Sequence, residues 1–245
     1  MSKQSGLGAR FLVGGYDISG DVNAIDTITG APALIDSTDI TQSAHSRIYG
    51  QRDGSMGFTV FMDTANAHPV LKTLPPADTQ MVALIPTLAV GGAAACLNAK
   101  QVGYDPTRGT DGSLLLKVAG QGNSYGLEWG LQLTPGVRTD TGAAAGTDLD
   151  NAASSAFGGQ AYLQVTAFTG TDVTVTLEHS TDNSTYSSLI AFTQVTAAPF
   201  TQRSVVSNST TVNRYLKVVT TTSGGFTSAS FAVVFNRNPV AGVVF

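Results

Sequence analysis

The sequence predicts a mainly β protein: an N-terminal β-sandwich or barrel with one short helix, then a second, jelly-roll-like β-sandwich. Three observations carry this reading. Apolar residues recur with period two in short stretches, turn-forming pairs separate those stretches, and a single segment has helical spacing.

The opening stretch Phe11-Leu12-Val13 runs into the turn pair Gly14-Gly15. Further on, Met56, Phe58, Val60 and Met62 alternate with Gly57, Thr59 and Phe61. Leu127, Trp129, Leu131 and Leu133 alternate with Glu128, Gly130 and Gln132, and Val173, Val175 and Leu177 with Thr174, Thr176 and Glu178. In each run the first set is expected to face a core. Turn signals at Asp53-Gly54, Asp111-Gly112, Gly120 to Ser124, Asp182-Asn183 and Gly224-Gly225 keep the strands short, as in sandwiches and barrels.

The helical segment runs from Asp63 to Leu74, with Val70, Leu71 and Leu74 at helical spacing and Pro75-Pro76 as its stop. Pro69 fits only in a first turn, which predicts a helix near residues 66–74 starting at Asn66. Composition shifts near residue 137. Residues 1–137 hold 8 Lys+Arg and 11 Asp+Glu, whereas residues 138–245 hold 5 and 6, are dense in Thr and lack a helix signal. This predicts two domains, 1–137 and 138–245, with residues 138–160, rich in Ala, Gly, Ser and Thr, as a linker plus a weak first strand. Tyr162-Leu163-Gln164-Val165 and Tyr215-Leu216-Lys217-Val218 form a faint internal echo.

Composition narrows the function classes. The chain has 245 residues, of which 12% are charged and 42% hydrophobic, with a net charge of −4. Soluble proteins carry about 25% charge, so roughly half is missing, replaced by Gly, Ser and Thr. Charge-driven disorder needs a high net charge, a basic nucleic-acid binder needs excess Lys and Arg, and a membrane helix needs about 18 apolar residues in a row. None of these is present in the sequence. The first ten residues carry no secretory pattern, so a cytoplasmic origin is expected.

Signals for chemistry are sparse. His45, His68 and His179 lie far apart; His68 is expected to cap or pack the helix start, and His179 to point outward. Cys96 sits in an apolar run and reads as a small buried hydrophobe. Gly120, Gly122 and Gly126 join two strands and lack the helix N-terminus that a phosphate loop requires. Asp148, Asp150 and Asn151 loosely resemble a calcium loop but lack its downstream Gly and Glu. Asn183-Ser184-Thr185 and Asn208-Ser209-Thr210 match a glycosylation pattern that arises by chance in so Thr-rich a chain. No nucleophile elbow and no paired carboxylates stand out. The expectation is a non-enzyme with no catalytic, cofactor-binding or metal-ligating residues.

One order of parts is distinctive. It begins with Phe11-Leu12-Val13-Gly14-Gly15-Tyr16-Asp17-Ile18-Ser19-Gly20-Asp21-Val22 and Asp36-Ser37-Thr38-Asp39-Ile40. Arg47-Ile48-Tyr49-Gly50-Gln51-Arg52-Asp53-Gly54-Ser55-Met56-Gly57-Phe58 comes next, then the helix ending in Leu74-Pro75 and Asp78. A strand pair, a long polar loop ending in "RDG", a strand, a short helix ending in "LP" and further strands resemble the major tail tube proteins of long-tailed bacteriophages. The resemblance covers roughly residues 7–137, and residues 138–245 look like the β-sandwich domain appended to some of these proteins.

The resemblance implies a virion tail protein, assembled in the host bacterial cytoplasm as hexameric rings that stack helically into a hollow tube. It implies as partners the chain itself, a tape measure protein in the lumen, tail terminator and distal tail proteins at the tube ends, and DNA in transit during ejection, with no membrane insertion. The loop of residues 36–55 would reach the neighbouring ring, and the C-terminal sandwich would project outward.

Two features of the residues agree with it. Between Asp17 and Asp39 lie five acids and no Lys or Arg, and a DNA channel should not bind phosphate; Asp17, Asp21 and Asp26 are the lumen-facing candidates. Asp39, His45, Arg47, Tyr49 and Arg52 are the inter-ring candidates, because Arg and Tyr are favoured interface anchors. The alternative is a carbohydrate- or cell-surface-binding β-sandwich module of a phage or bacterial surface protein, with Tyr162, Phe168, Tyr186 or Phe200 as a sugar platform.

Overall fold

Alternate side chains leave opposite faces of an extended chain, so period-two runs form strands that bury one face. The computed structural model describes residues 5–73, 78–85 and 87–240. In the N-terminal half it has β1 (Arg10–Val13), β2 (Tyr16–Asp17), β3 (Val22–Thr29), β4 (Leu34–Asp36), β5 (Arg47–Tyr49) and β6 (Ser55–Phe61). The helix α1 (Ala67–Leu71) is followed by β7 (Thr79–Leu84), β8 (Ala93–Arg108), β9 (Leu114–Gly122) and β10 (Glu128–Gln132). The C-terminal half has β11 (Arg138–Asp140), β12 (Leu149–Asp150), β13 (Gly159–Gly170) and β14 (Thr174–Ser180). It ends with β15 (Ser187–Ala191), β16 (Phe200–Val206), β17 (Tyr215–Thr221) and β18 (Phe226–Arg237). The protein is mainly β, antiparallel and sandwich-like.

The 16-residue β8 organises the N-terminal half. Its first part lies between β7 and β10; from Ala99 onward, through a register shift at Gln101/Gly103, it pairs with β9, which continues to β6 and β3. The layers close on a core that includes Phe11, Phe58, Met81, Leu97 and Leu116. In the C-terminal half, β16-β13-β18 faces the four-stranded sheet β12-β17-β14-β15 across Leu163, Val175, Leu177, Val218, Phe231 and Val233. The echoed segments lie in the inner strands β13 and β17, one in each sheet, and both contribute to this core.

The halves share more than a tether. β10 pairs with β8 on one side and β18 on the other, so a single 12-stranded sheet runs through both. A third core, with Leu12, Val82, Cys96, Tyr162, Ala232 and Val234, is built from both halves. Residues 138–160 belong to the sandwich: β11 pairs with β18, β12 pairs with β17, and the Arg138 guanidinium donates to both oxygens of Asp140 at 2.7 Å. Within this segment Gly146 packs closely on β17: a Cβ there would lie 3.1 Å from the Val218 carbonyl oxygen.

The helix is shorter than expected, Ala67–Leu71, with Asn66 as its N-cap and Pro69 in the first turn. The expected stop at Leu74 and Pro75-Pro76 lies outside the described residues. His68 packs beside the helix start, its Nδ1 within hydrogen-bonding distance of the Tyr104 hydroxyl.

One strand is inverted relative to its pattern. On β10, Glu128 and Gln132 are buried, whereas Trp129 is 51% and Leu131 37% exposed. The reason is chemical: Glu128 meets a buried arginine from the other half, and the apolar pair falls past the edge of the covering sheet.

Candidate assembly interface

The segment between Gly30 and Gly54 leaves the body as an arm. Both glycines sit against Leu127: a Cβ on Gly30 would lie 2.5 Å from the Leu127 Cβ, and one on Gly54 2.6 Å from its backbone nitrogen. Ala33 N donates to the Gln51 carbonyl at 3.1 Å, and β4 and β5 then pair as Leu34 with Tyr49, Ile35 with Ile48 and Asp36 with Arg47. Residues 36–55, expected as an irregular loop, thus begin and continue within a two-stranded hairpin.

The tip is held by its own side chains. Asp36 Oδ1 accepts from Thr38 N at 2.9 Å, Asp36 Oδ2 lies 3.0 Å from His45 Nδ1, and Ser46 N donates to Thr38 Oγ1 at 2.9 Å. Asp39 Oδ1 accepts from Thr41 N at 2.8 Å. The Thr38 and Thr41 hydroxyls and amides hold the Asp36 and Asp39 carboxyls below their ordinary values, so both stay anionic.

The arm's apolar residues are uncovered. Leu34, Ile35, Ile48 and Tyr49 are between 50% and 78% exposed, and Ile40 at the tip is fully exposed. An isolated two-stranded hairpin is marginal in water, and a contiguous exposed apolar surface marks an interaction site.

Of the inter-ring candidates, Asp39, His45, Arg47 and Tyr49 lie on this arm, and Arg52 lies at its base beside Gly126. The three lumen candidates are not gathered together. Asp17 is paired with Arg10 at 2.5 Å and accepts from Ser19 N at 3.1 Å. Asp21 Oδ2 accepts from Asn66 Nδ2 at 2.8 Å and Ala67 N at 3.2 Å, which caps α1. Asp26 is exposed on β3 and accepts from Thr59 Oγ1 at 2.7 Å. Among the described residues β3 pairs with β6 alone, so its other edge is open to strand addition.

The sugar platform does not form. Tyr162 is 1% exposed, Phe168 and Phe200 pack against the C-terminal core, and Tyr186 lies under the Lys217 ammonium, 3.5 Å from its ring centroid. Of the calcium-like residues, Asp150 is taken by Arg214 in two contacts of 2.6 Å, and Asn151 Nδ2 donates to the Arg214 carbonyl. Among the described residues no three His, Cys, Asp or Glu side chains cluster as metal ligands. No helix of the described residues is long and apolar enough to cross a membrane. His179 is half-buried rather than outward, and its Nδ1 accepts from Asn213 N at 3.2 Å.

Two features escape the sequence pattern. One is the Glu128–Arg203 contact between the halves. The other is a groove of about 390 Å³ between β10, β18 and the edge strand β12, lined by Trp129, Leu131, Leu149, Leu216, Phe235 and Arg237 among others.

No protein-family model matches the chain, and no curated protein matches it. Among solved structures, SPP1 Dit, described as a paradigm of the hub adsorption apparatus in phages infecting Gram-positive hosts, is similar over 93% of this chain and 98% of its own. That likeness has 11% identity and a TM-score of 0.34.

Proposed function

We propose that this chain is a structural subunit of a phage tail that self-assembles, as stacked hexameric rings, into the tube through which DNA leaves the particle. The observation that carries the reading is the arm. Leu34, Ile35, Ile40, Ile48 and Tyr49 are exposed on a hairpin too small to hold itself, and a second protein surface supplies the missing cover. The open edge of β3 offers a second route for joining sheets between subunits. The low charge of the chain, 12%, agrees, because interface cores are depleted in charge. In this reading the role is structural rather than catalytic. The partners are further copies of the chain, a tape measure protein in the channel and the proteins that end the tube.

Electron microscopy and sedimentation of the purified chain test it. Rings or hollow tubes are expected, with assembly lost when Ile35 and Ile48 are replaced by Glu. A chain that stays monomeric at every concentration, alone and with tail extracts, overturns the reading.

A further inference from the structure

We infer that the groove beside Trp129 and Leu131 receives the arm tip of a second copy of this chain, with Ile40 entering among the groove's apolar side chains. The inference rests on the self-assembly reading and names the surface that the arm engages.

The groove is apolar in its walls and open to solvent. Trp129 and Leu131 are half-exposed on one side, and Leu149 and Leu216 from the second sheet stand on the other. Binding hot spots are enriched in tryptophan, and Trp129 stands at the mouth of this apolar depression. At about 390 Å³ it holds a turn and its leading side chain rather than a whole hairpin. Ile40 supplies such a turn, and since it is fully exposed it does not fill the groove of its own chain.

Charge selects the same occupant. From Ser37 to Ser46 the tip carries Asp39 and no Lys or Arg, while Asp36 at its base stands opposite Arg47 and 3.0 Å from His45 Nδ1. Among the described residues no acidic side chain lines the groove, and Arg237 on its wall donates to the Ala153 carbonyl at 2.5 Å. The nearby Asp150 is engaged with Arg214. Partial burial pushes the Arg237 guanidinium down from its ordinary value, so an incoming carboxylate improves its environment. An anionic tip with an apolar point matches an apolar groove with one under-compensated cation.

The geometry of assembly follows. An arm on one copy and a groove on the next form a heterologous contact, which closes into a ring or runs on as a filament.

Cysteine cross-linking in the full chain tests this. The chain's one cysteine, Cys96, is buried and its thiol is pushed well up by burial, so it does not compete. The variant I40C/L131C, treated with a mild oxidant, is expected to give a ladder of covalent dimers and larger multimers under non-reducing conditions. Neither single variant gives that ladder. In the otherwise native chain, W129A is expected to raise the concentration needed for assembly at least tenfold. If the double variant forms rings or tubes by microscopy without a ladder, the docking site is wrong and self-assembly stands. A disulfide within one chain also overturns the inference, since the tip then folds onto its own groove. If neither assemblies nor multimers form, the inference and the reading beneath it both fall.

Discussion

Arg203 and Glu128 meet across the junction of the two halves, with Arg203 Nη2 2.5 Å from Glu128 Oε1 and side chains only 5% and 1% exposed. Arg203 Nε also donates to the Tyr162 hydroxyl at 3.1 Å, and its guanidinium lies 3.6 Å from the Tyr125 ring centroid. Burial opposes the Arg203 charge, but the Glu128 carboxylate outweighs it and holds the guanidinium above its ordinary value. Removing one partner strands a buried charge, which costs about 3–5 kcal/mol, whereas an apolar pair of similar volume is often neutral or better. E128L and R203M are each expected to lower the denaturation midpoint strongly, and E128L/R203M to recover most of it. Additive losses in the double variant would show that the two residues are not energetically coupled.

A second contact fixes the same junction. Gly15 N donates to Gln164 Oε1 at 2.7 Å, and Gln164 Nε2 donates to the Gln80 carbonyl at 3.0 Å. Gly15 has φ of +85°, and a Cβ there would lie 2.7 Å from Phe200 N. Backbone strain and a backbone clash therefore act together in G15A, for an expected loss of about 2–4 kcal/mol. Q164L leaves the buried Gly15 amide unpaired, at about 1–3 kcal/mol. Calorimetry checks both, and the two halves are expected to melt in one transition because they share a sheet. Separate transitions in the parent chain would contradict the shared core.

How far the sequence reaches depends on how local the decisive interaction is. Val173, Val175 and Leu177 face the core as their alternation predicts, because both neighbours of that strand come from one sandwich. The alternation at Leu127–Leu133 misleads because Glu128 finds its partner 75 residues away, and no local pattern encodes that. The arm was within reach: Leu34-Ile35-Asp36 and Arg47-Ile48-Tyr49 are matching strand signals, shortened to three residues each and hidden by the long polar tip. The groove was out of reach, since it is assembled from β10, β12, β17 and β18. The acid run that marks Asp17, Asp21 and Asp26 as lumen candidates carries no sign that Asp21 also caps a helix 46 residues on.

Acid is expected to destabilise the C-terminal sandwich in two stages. His179 is partly buried, which pushes its imidazole below 6.5, and its Nδ1 accepts a backbone hydrogen bond that protonation would break. A depressed folded value means that this contribution is complete above pH 6.5 and is lost as pH falls through the folded value. The Asp182 carboxyl is held at about 2 by the Thr185 and Ser184 amides, and Asp150 at about 2 by Arg214. Their contributions are present above 3.8 and disappear between 3.8 and about 2. Denaturation midpoints followed against pH should show both steps, the upper one absent in H179Q and the lower one reduced in D182N. A single step in the parent chain that H179Q leaves unmoved would remove the histidine from this account.

Among the three acids proposed for the channel wall, Asp26 gives the cleanest test. Replacing Asp17 also breaks the Arg10 pair, and replacing Asp21 uncaps α1, so either change confounds charge with folding. Asp26 is exposed and accepts a hydrogen bond from the Thr59 hydroxyl at 2.7 Å, which Asn can also accept. D26N therefore removes the charge and keeps the bond, whereas D26K places a cation where DNA is proposed to pass. A cationic wall attracts phosphate and releases its counterions, an attraction that weakens as salt rises. Virions carrying D26K in their tails should eject DNA several-fold more slowly than D26N virions at low salt, with the gap narrowing at high salt. Equal ejection rates for the two variants at every salt concentration would place Asp26 away from the channel.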